Sequence, residues 1–206
     1  MQLHTSQNSL LFTMISKPPH LLIWALMLLS STTFALPQGA AICSFNDLSQ
    51  FKSAHGTAQS ASFHANITTV GRMGSGKLYT NWFKVGEPLT ITISGGGTKI
   101  LGFLVAVTHP GQDVGIPDGG GYTEWTTTPG ETKKCTNNGQ QHAVTHSKQL
   151  DTSSRTLTYT VPPSAATDKH IIVQAIVVCP GGPGAPQCWK KIEVKVYNIA
   201  FWKQDS

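Results

Sequence analysis

The most constraining feature of the 206-residue sequence is the stretch from Gln141 to Val178, in which apolar and polar residues alternate in two runs. Residues 156–161 alternate threonine with leucine, tyrosine and valine, and residues 171–178 place isoleucine, valine and alanine at every other position. A period of two is the signature of a half-buried β-strand, and β-branched and aromatic side chains suit a pleated surface. The Pro162-Pro163 pair ends the middle run, since proline cannot donate to a strand ladder. We therefore predict three strands separated by turns, which form the core of a β-sandwich.

Other segments extend this pattern. Apolar and polar residues alternate in 89–94, which predicts a strand. Residues 99–108 are apolar on both faces, as in a central strand that is covered on each side. Tyr122–Trp125 is predicted to form a short strand and residues 189–197 the last one. Residues 37–69 are interpreted as an extended, partly irregular lead-in with one short helix at 46–53. Helical periodicity is otherwise absent. We predict about eight strands in an antiparallel two-sheet sandwich of the immunoglobulin-like kind, with a barrel as the alternative.

The first 35 residues have the pattern of a secretory signal peptide. Lys17 precedes the apolar run Leu21–Leu29, and small and polar residues follow it up to Ala35. The run is shorter than the roughly 20 apolar residues that span a bilayer, and no later segment is long enough. We predict a signal peptide at 1–35 and one secreted domain at 36–206, with no membrane span.

Both ends of this leader have alternatives. Met14 is a second candidate start, because it gives a signal of usual length, whereas Met1 leaves a long polar leader. Ala40 and Ala41 are alternative cleavage points.

The charge of the predicted mature chain is modest. The leader holds one of the fifteen basic residues and none of the ten acidic ones, so residues 36–206 carry a formal net charge of +4. The basic residues are scattered, and only Lys133-Lys134 and Lys190-Lys191 are adjacent. We expect weak attraction to anionic surfaces, no nucleic-acid partner, and a monomer.

Four cysteines lie in the mature part, and an even count in an exported chain indicates disulfides with three possible connectivities. Cys179 and Cys188 flank a Pro- and Gly-rich loop between two strand-like runs, so they form the easiest pair. Cys43 with Cys135 then follows. A zinc site is the competing interpretation, but no spacing is of the CxxC type that structural zinc prefers.

Catalytic chemistry finds little support. The sequence has no Gly-x-Ser-x-Gly nucleophile elbow, and its few acidic residues concentrate in a loop-rich region. On one strand, His142 and His146 would lie about 13 Å apart, too far for a shared metal ion. We predict no enzyme, no cofactor and no metal, and we interpret His146 as a structural residue hydrogen-bonded at a sandwich corner.

Aromatic residues are candidates for binding sugars, because flat rings stack on sugar faces. They are Trp82, Phe83, Trp125, Trp189 and Trp202. We assign Trp189 to the core. We choose Trp125, together with Tyr122, as the contact with a partner, because both lie in the Gly-rich excursion after residue 108 and loops commonly carry binding surfaces.

Two further surface features accompany these aromatic residues. Lys133 and Lys134 add charge near the predicted contact. Asn66-Ile67-Thr68 is a glycosylation sequon, which must lie on the surface if it is used.

The chain resembles the reeler domain family. The matching residues are, in order, Cys43, His55-Gly56, Thr90-Ile91-Thr92-Ile93, Gly102-Phe103-Leu104, Cys135, Ala143-Val144-Thr145-His146-Ser147, Tyr159 three residues before Pro162, Val173–Val178, and Trp189. The resemblance implies an immunoglobulin-like sandwich, a first-to-middle disulfide between Cys43 and Cys135, and no catalytic activity. It also implies extracellular binding, matrix association or innate defence.

These observations favour a secreted, non-catalytic binding module that engages glycans, microbial surface polymers or matrix polymers. One alternative is a structural or adhesion protein of the extracellular matrix that binds another protein. A metal-binding or enzymatic sandwich is the least favoured alternative.

Overall fold

The computed structural model describes residues 39–40, 43, 45, 63–72, 76–108, 124–137, 140–181 and 187–202. They belong to one compact unit, Thr33–Ser206. The predicted signal peptide at 1–35, its alternative start Met14, the alternative cleavage point Ala41 and the predicted short helix at 46–53 lie outside the described residues. Ala40, the other alternative cleavage point, is described. No helix within the described ranges is long and apolar enough to cross a membrane.

One layer is a five-stranded antiparallel sheet, with the strand order β2-β1-β4-β9-β6. Its strands are β1 Asn66–Arg72, β2 Leu78–Thr80, β4 Pro88–Ser94, β6 Trp125–Thr126 and β9 Ser154–Thr160. The threonines of β4 and β9 face solvent, and the residues between them are buried. The alternation in the sequence therefore predicted correctly which side chains enter the core.

The other layer is a six-stranded sheet, with the strand order β3-β11-β10-β5-β8-β7. Its strands are β3 Trp82–Phe83, β5 Gly102–Thr108, β7 Thr132–Asn137, β8 Gln140–His146, β10 His170–Cys179 and β11 Cys188–Asn198. All pairs are antiparallel except β3 with β11, which is parallel. Two short 3-10 helices follow β9 and β11, at Pro163–Thr167 and Ile199–Phe201.

The two-sheet sandwich confirms the predicted fold class, but the strand count needs correction. The described residues form eleven strands where about eight were expected, and β1, β2, β3 and β7 were not anticipated. β1 falls in the stretch interpreted as an irregular lead-in. Its inward residues are Ile67, Thr69 and Gly71, so only one large apolar side chain marks the buried face and no hydrophobic alternation is visible.

The main core lies between the two sheets and is built from the inward residues of both. It includes Leu89, Ile91, Phe103, Tyr159 and Val173, all at most 1% exposed. A second apolar cluster covers part of the outer face of the six-stranded sheet, where Phe45 packs with residues such as Leu104, Ile176 and Trp189. Every residue of β5 is therefore buried, as expected of a central strand covered on both faces.

Both disulfides have the predicted pairing. Cys43 is bonded to Cys135, with 5.4 Å between their Cα atoms, and Cys179 to Cys188, with 5.0 Å. The first bond closes a sequence separation of 92 residues and the second one of 9. The chain-entropy model assigns about 4–5 kcal/mol to the long loop and about 2–3 kcal/mol to the short one. The Cys43–Cys135 bond ties the N-terminal segment to β7 at one edge of the six-stranded sheet.

Candidate functional site

The sequence-based choice for a partner contact, Trp125, is buried. Its residue is 3% exposed, it pairs in register with Tyr159, and the two ring centroids are 4.9 Å apart. The expectation that this ring is available to a partner is therefore corrected. The Gly-rich neighbourhood suggested an exposed side chain, but Trp125 opens β6 and its ring joins the core. Tyr122 lies outside the described residues.

The two lysines assigned to the same contact are exposed. Lys133 and Lys134 lie on β7, opposite Thr145 and Val144 of β8. β7 is the last strand of the six-stranded sheet. Both ammonium groups are therefore on a sheet edge.

His146 lies at the end of β8 and is 4% exposed. The backbone N–H of Phe103 donates a hydrogen bond of 3.0 Å to Nδ1 of His146, and the hydroxyl of Thr145 donates one of 2.6 Å to the carbonyl oxygen of Phe103. A Cβ on Gly102 would lie 2.5 Å from the imidazole ring. The imidazole is thus packed against the first residues of β5, where it satisfies the backbone. The side chain of His142 is outside the described part.

Asn66, the sequon asparagine, is the first residue of β1 and is exposed. Thr68 is also exposed and lies on the same face, since side chains two apart on a strand point the same way. Nothing in the described residues covers this pair.

An aromatic surface appears at the opposite edge of the six-stranded sheet from the lysines. We call it the aromatic cluster, and its members are Tyr79, Trp82, His170, Tyr197, Phe201 and Trp202. Ring centroids are 5.2 Å apart for Trp82 and Trp202, 5.6 Å for Trp82 and Tyr197, 6.1 Å for His170 and Tyr197, and 6.4 Å for Tyr79 and Trp202. Tyr197, Phe201 and Trp202 are 45–47% exposed. These rings pack on each other and still face solvent.

Local backbone structure explains how these rings meet. Asn81 has a positive φ of 60°, a conformation that asparagine tolerates better than most residues. Its N–H donates to the carbonyl of Thr69 in one sheet, and its carbonyl accepts from Tyr197 in the other. The chain thereby crosses from β2 to β3, and Trp82 is placed beside Tyr197.

Asn198 holds the C-terminal part of the cluster. Its side-chain oxygen accepts from the N–H of Ala200, and its side-chain nitrogen donates to the carbonyl of Asp168, both at 3.0 Å. The first bond caps the short helix that carries Phe201 and leads to Trp202. The second fixes the turn before β10, which contains Lys169 and leads into His170, the first residue of that strand.

The cluster encloses a shallow pocket of about 290 Å³. Trp82, Lys169, His170, Tyr197, Asn198 and Phe201 line it. This volume is at the small end of ligand sites, which are commonly apolar and aromatic with a few polar groups. The pocket therefore has the composition of a binding site for one small chemical unit.

Sequence reasoning included Trp82 and Trp202 among the sugar-stacking candidates but did not choose them. The available signal was the position of Trp82, next to Asn81 and outside any apolar alternation, and the dense aromatic content of the last residues. What joins these segments is the parallel pairing of β3 with β11, which spans only two residues of each strand.

A family model described as the reeler domain matches residues 58–180. The solved structure of the human F-spondin reeler domain, fragment 1, is similar to this chain, with a TM-score of 0.50 and 15% identity over 70% of this chain and 95% of that one. A structure of the reelin-N domain of F-spondin gives a TM-score of 0.46 at 14% identity, over 69% of this chain and 92% of that one. No curated protein matched the sequence. Because the family model covers more than half of the chain, the protein belongs to the reeler domain family.

Proposed function

We propose that this reeler-family protein is a secreted, non-catalytic binding module, and that it engages glycans or other polymers of microbial or matrix surfaces through the aromatic cluster. The exposure of that cluster is the observation that carries the proposal. Family membership, the two disulfides and the predicted signal peptide support an extracellular location. Innate defence is one use of such a module, and matrix attachment is another.

Exposed aromatic rings are the unusual feature of this surface. Among the described residues, the most exposed large apolar side chains are those of Leu78, Tyr197, Phe201 and Trp202, and three of these four belong to the aromatic cluster. A contiguous apolar patch of this kind marks a site of interaction more often than scattered single residues do. Tyrosine and tryptophan also combine a large apolar face with a polar atom, which suits a wet ligand.

A sugar polymer fits the concave shape of the site. The rings of Trp82 and Tyr197 are tilted by 46° to each other, so together they form a shallow trough at the pocket. A sugar unit can rest its C–H face on one ring and direct its hydroxyls to the polar rim, and neighbouring units of the polymer can continue into solvent.

Four residues singled out from the sequence remain part of the proposal. Tyr122, Lys133 and Lys134 are expected to add weaker contacts. The two lysines are separated from β3 by the breadth of the six-stranded sheet, roughly 24 Å for five steps between strands. They therefore contact a long polymer at a second point or a separate ligand. Asn66 is expected to carry a glycan on the other sheet.

The test is retention of the secreted, oxidised protein on bacterial cells, fungal walls and insoluble polysaccharides, with Trp202→Ala as the main variant. Trp202 is about half exposed, so its removal is expected to leave the fold intact and to weaken retention by about five- to tenfold. Leu78→Ala is the matched control. It removes a more exposed apolar side chain, 65% exposed, that points away from Tyr79 and hence from the cluster.

Equal retention of Trp202→Ala and the wild type on every surface would contradict the proposed site. Loss of retention in both variants would indicate nonspecific adhesion of apolar side chains.

The second candidate function is adhesion to another protein of the matrix, which the exposed apolar area of the same cluster also favours. Salt separates the two possibilities. A charged polymer is released as ionic strength rises, whereas an apolar protein interface holds. Absence of binding to all polysaccharides, together with salt-resistant capture of a matrix protein, would favour adhesion.

A further inference from the structure

We infer that the pocket of the aromatic cluster selects a sugar unit that bears an anionic group. This inference rests on the proposed function and names the ligand class of the same site. It is carried by the hydrogen-bonding character of the pocket lining, by two lysines that pair with no carboxylate of the described residues, and by the rings.

The pocket lining contains two polar groups that can only donate hydrogen bonds. Lys169 has an ammonium group, which only donates, and Trp82 has an indole N–H, which also only donates. The amide oxygen of Asn198 is already used by the N–H of Ala200, whereas the imidazole of His170 and the hydroxyl of Tyr197 can each donate or accept. A ligand with strong acceptors, such as a carboxylate or a sulfate, complements this set.

Among the residues that the structure describes, the two lysines at the site form no ion pair. Lys169 lines the pocket, and Lys195 lies two residues before Tyr197 on the same outward face of β11. The ion pairs of the described residues involve Lys84, Lys99 and Arg155 instead. Both ammonium groups are therefore available to a ligand.

Two acidic side chains lie close to this surface. Asp168 precedes Lys169 but does not line the pocket, and Glu193 lies beyond Lys195 on β11, where its carboxylate accepts a hydrogen bond from Gln174. The pocket itself is lined by one ammonium group and no carboxylate. Its charge therefore favours an anion.

The rings decide what carries the anionic group. Trp82, Tyr197 and Phe201 line the pocket beside Lys169, so an apolar face and a cation meet within about 290 Å³. A free phosphate or sulfate would leave these rings without a contact. A pyranose with an acidic substituent uses both features, and the acid can be a carboxylate, as in a uronate, or a sulfate ester.

The experiment measures binding to matched polymers. Polygalacturonate is compared with its methyl ester, which has the same backbone without the carboxylate charge, and dextran sulfate is compared with dextran. Lys169→Gln and the double variant Lys169→Gln/Lys195→Gln are measured beside Lys99→Gln/Lys148→Gln. The control pair removes the same charge at the other end of the sandwich, where Leu101 is bonded to Val178 and Leu150.

The wild type is expected to bind at least one acidic polymer about tenfold more tightly than its neutral counterpart. Lys169→Gln should lose most of this preference and the control pair should keep it. The polymer pair that shows the preference identifies the acidic group as a carboxylate or a sulfate.

Equal binding to the acidic and neutral polymers would overturn the inference and leave the proposed function standing. A preference lost equally in the control pair would also overturn it, since the effect would then reflect net charge alone. Tighter binding to phosphatidylglycerol vesicles than to any of the four polymers, lost in Lys169→Gln, would replace the sugar by a lipid surface. Absence of binding to polymers, cells and walls alike would reject the proposed function itself.

Discussion

Two edge strands of this sandwich begin with tryptophan and have only two residues each, yet they point that tryptophan in opposite directions. In β6, Trp125 is buried and Thr126 is exposed, whereas in β3 Trp82 is half-buried at the surface and Phe83 is 1% exposed. The partner strand makes the difference. Trp125 pairs with Tyr159, which faces the core, and Trp82 pairs with Tyr197, which faces solvent.

The comparison teaches how far a tryptophan in a short strand can be interpreted from sequence. A strand of two residues is too short to show an alternation of apolar and polar side chains. Neither sequence therefore indicates which of its side chains faces the core. The register with the neighbouring strand determines which side chain faces the core, because residues opposite each other lie on the same face of a sheet. One tryptophan thus belongs to the core and the other to a candidate binding surface.

The largest effect is expected at Trp125. Trp125→Ala should lower the free energy of unfolding by about 3–5 kcal/mol, as for other large-to-small changes in a core. Its indole nitrogen is buried without a hydrogen-bond partner among the described residues, so Trp125→Phe loses no hydrogen bond and should cost less than Trp125→Ala, because it leaves a smaller cavity. Urea denaturation measures both values. A Trp125→Ala protein of wild-type stability with reduced polymer binding would restore the surface role first assigned to this ring.

The second prediction concerns β3, in which the tryptophan is partly exposed and the residue after it is buried. Phe83→Ala should cost about 3–5 kcal/mol because its ring is fully buried, whereas Trp82→Ala should cost about 1–2 kcal/mol because its ring is partly solvated. Polymer binding should be weakened by Trp82→Ala in the folded protein. Thermal unfolding together with polymer retention tests this contrast. A larger loss of stability in Trp82→Ala than in Phe83→Ala would contradict the predicted contrast.

A smaller effect is expected at the other edge of the six-stranded sheet. Lys133 and Lys134 lie on edge strand β7, which also has a register irregularity between Cys135 and Thr136. Charged side chains and irregularities both discourage pairing with another chain. Lys133→Gln/Lys134→Gln should therefore reduce binding to an acidic polymer by less than about twofold and should increase the tendency to associate. Light scattering and polymer retention measure the two effects, and a loss of binding larger than that of Trp202→Ala would move the main contact to this edge.

The smallest effect concerns the segment that leads from β6 to β7. Arg155 donates a hydrogen bond to Glu131 and forms an ion pair with it. This hydrogen bond, and then the charge of Arg155, lower the pKa of Glu131 below its usual value of 4.5. A lowered pKa in the folded state contributes stability above the pKa of the unfolded chain, and this contribution is lost as pH falls through the folded value.

Glu131→Gln should accordingly narrow the difference in stability between pH 7 and pH 3. Denaturation at several pH values compares it with Glu124→Gln, which removes a carboxylate from the same region. An unchanged pH dependence in Glu131→Gln would show that the ion pair contributes nothing to folding.

Much of the fold was predictable because long strands contain their own pattern. The threonine alternation of β9 identified Leu157 and Tyr159 as inward residues, and the apolar run of β5 indicated a strand covered on both faces. The cysteine pairing was predictable as well, because a hairpin placed Cys179 opposite Cys188. β1 escaped prediction since Thr69 and Gly71 occupy its inward positions. Gly71 is required there, as a Cβ would lie 2.0 Å from the carbonyl oxygen of Trp82.

The sequence by itself determined the all-β class, the inward faces of the long strands and the disulfide pairs, because each depends on residues near in sequence or on a count of cysteines. Only the tertiary structure decided that Trp125 is buried and that Trp82, Tyr197 and Trp202 meet at the surface. Trp82 is more than a hundred residues from Tyr197 and Trp202 in the sequence, and a two-residue parallel pairing joins its strand to that of Tyr197. A two-residue pairing between segments so far apart has no period and no motif, so no local sequence pattern could reveal it.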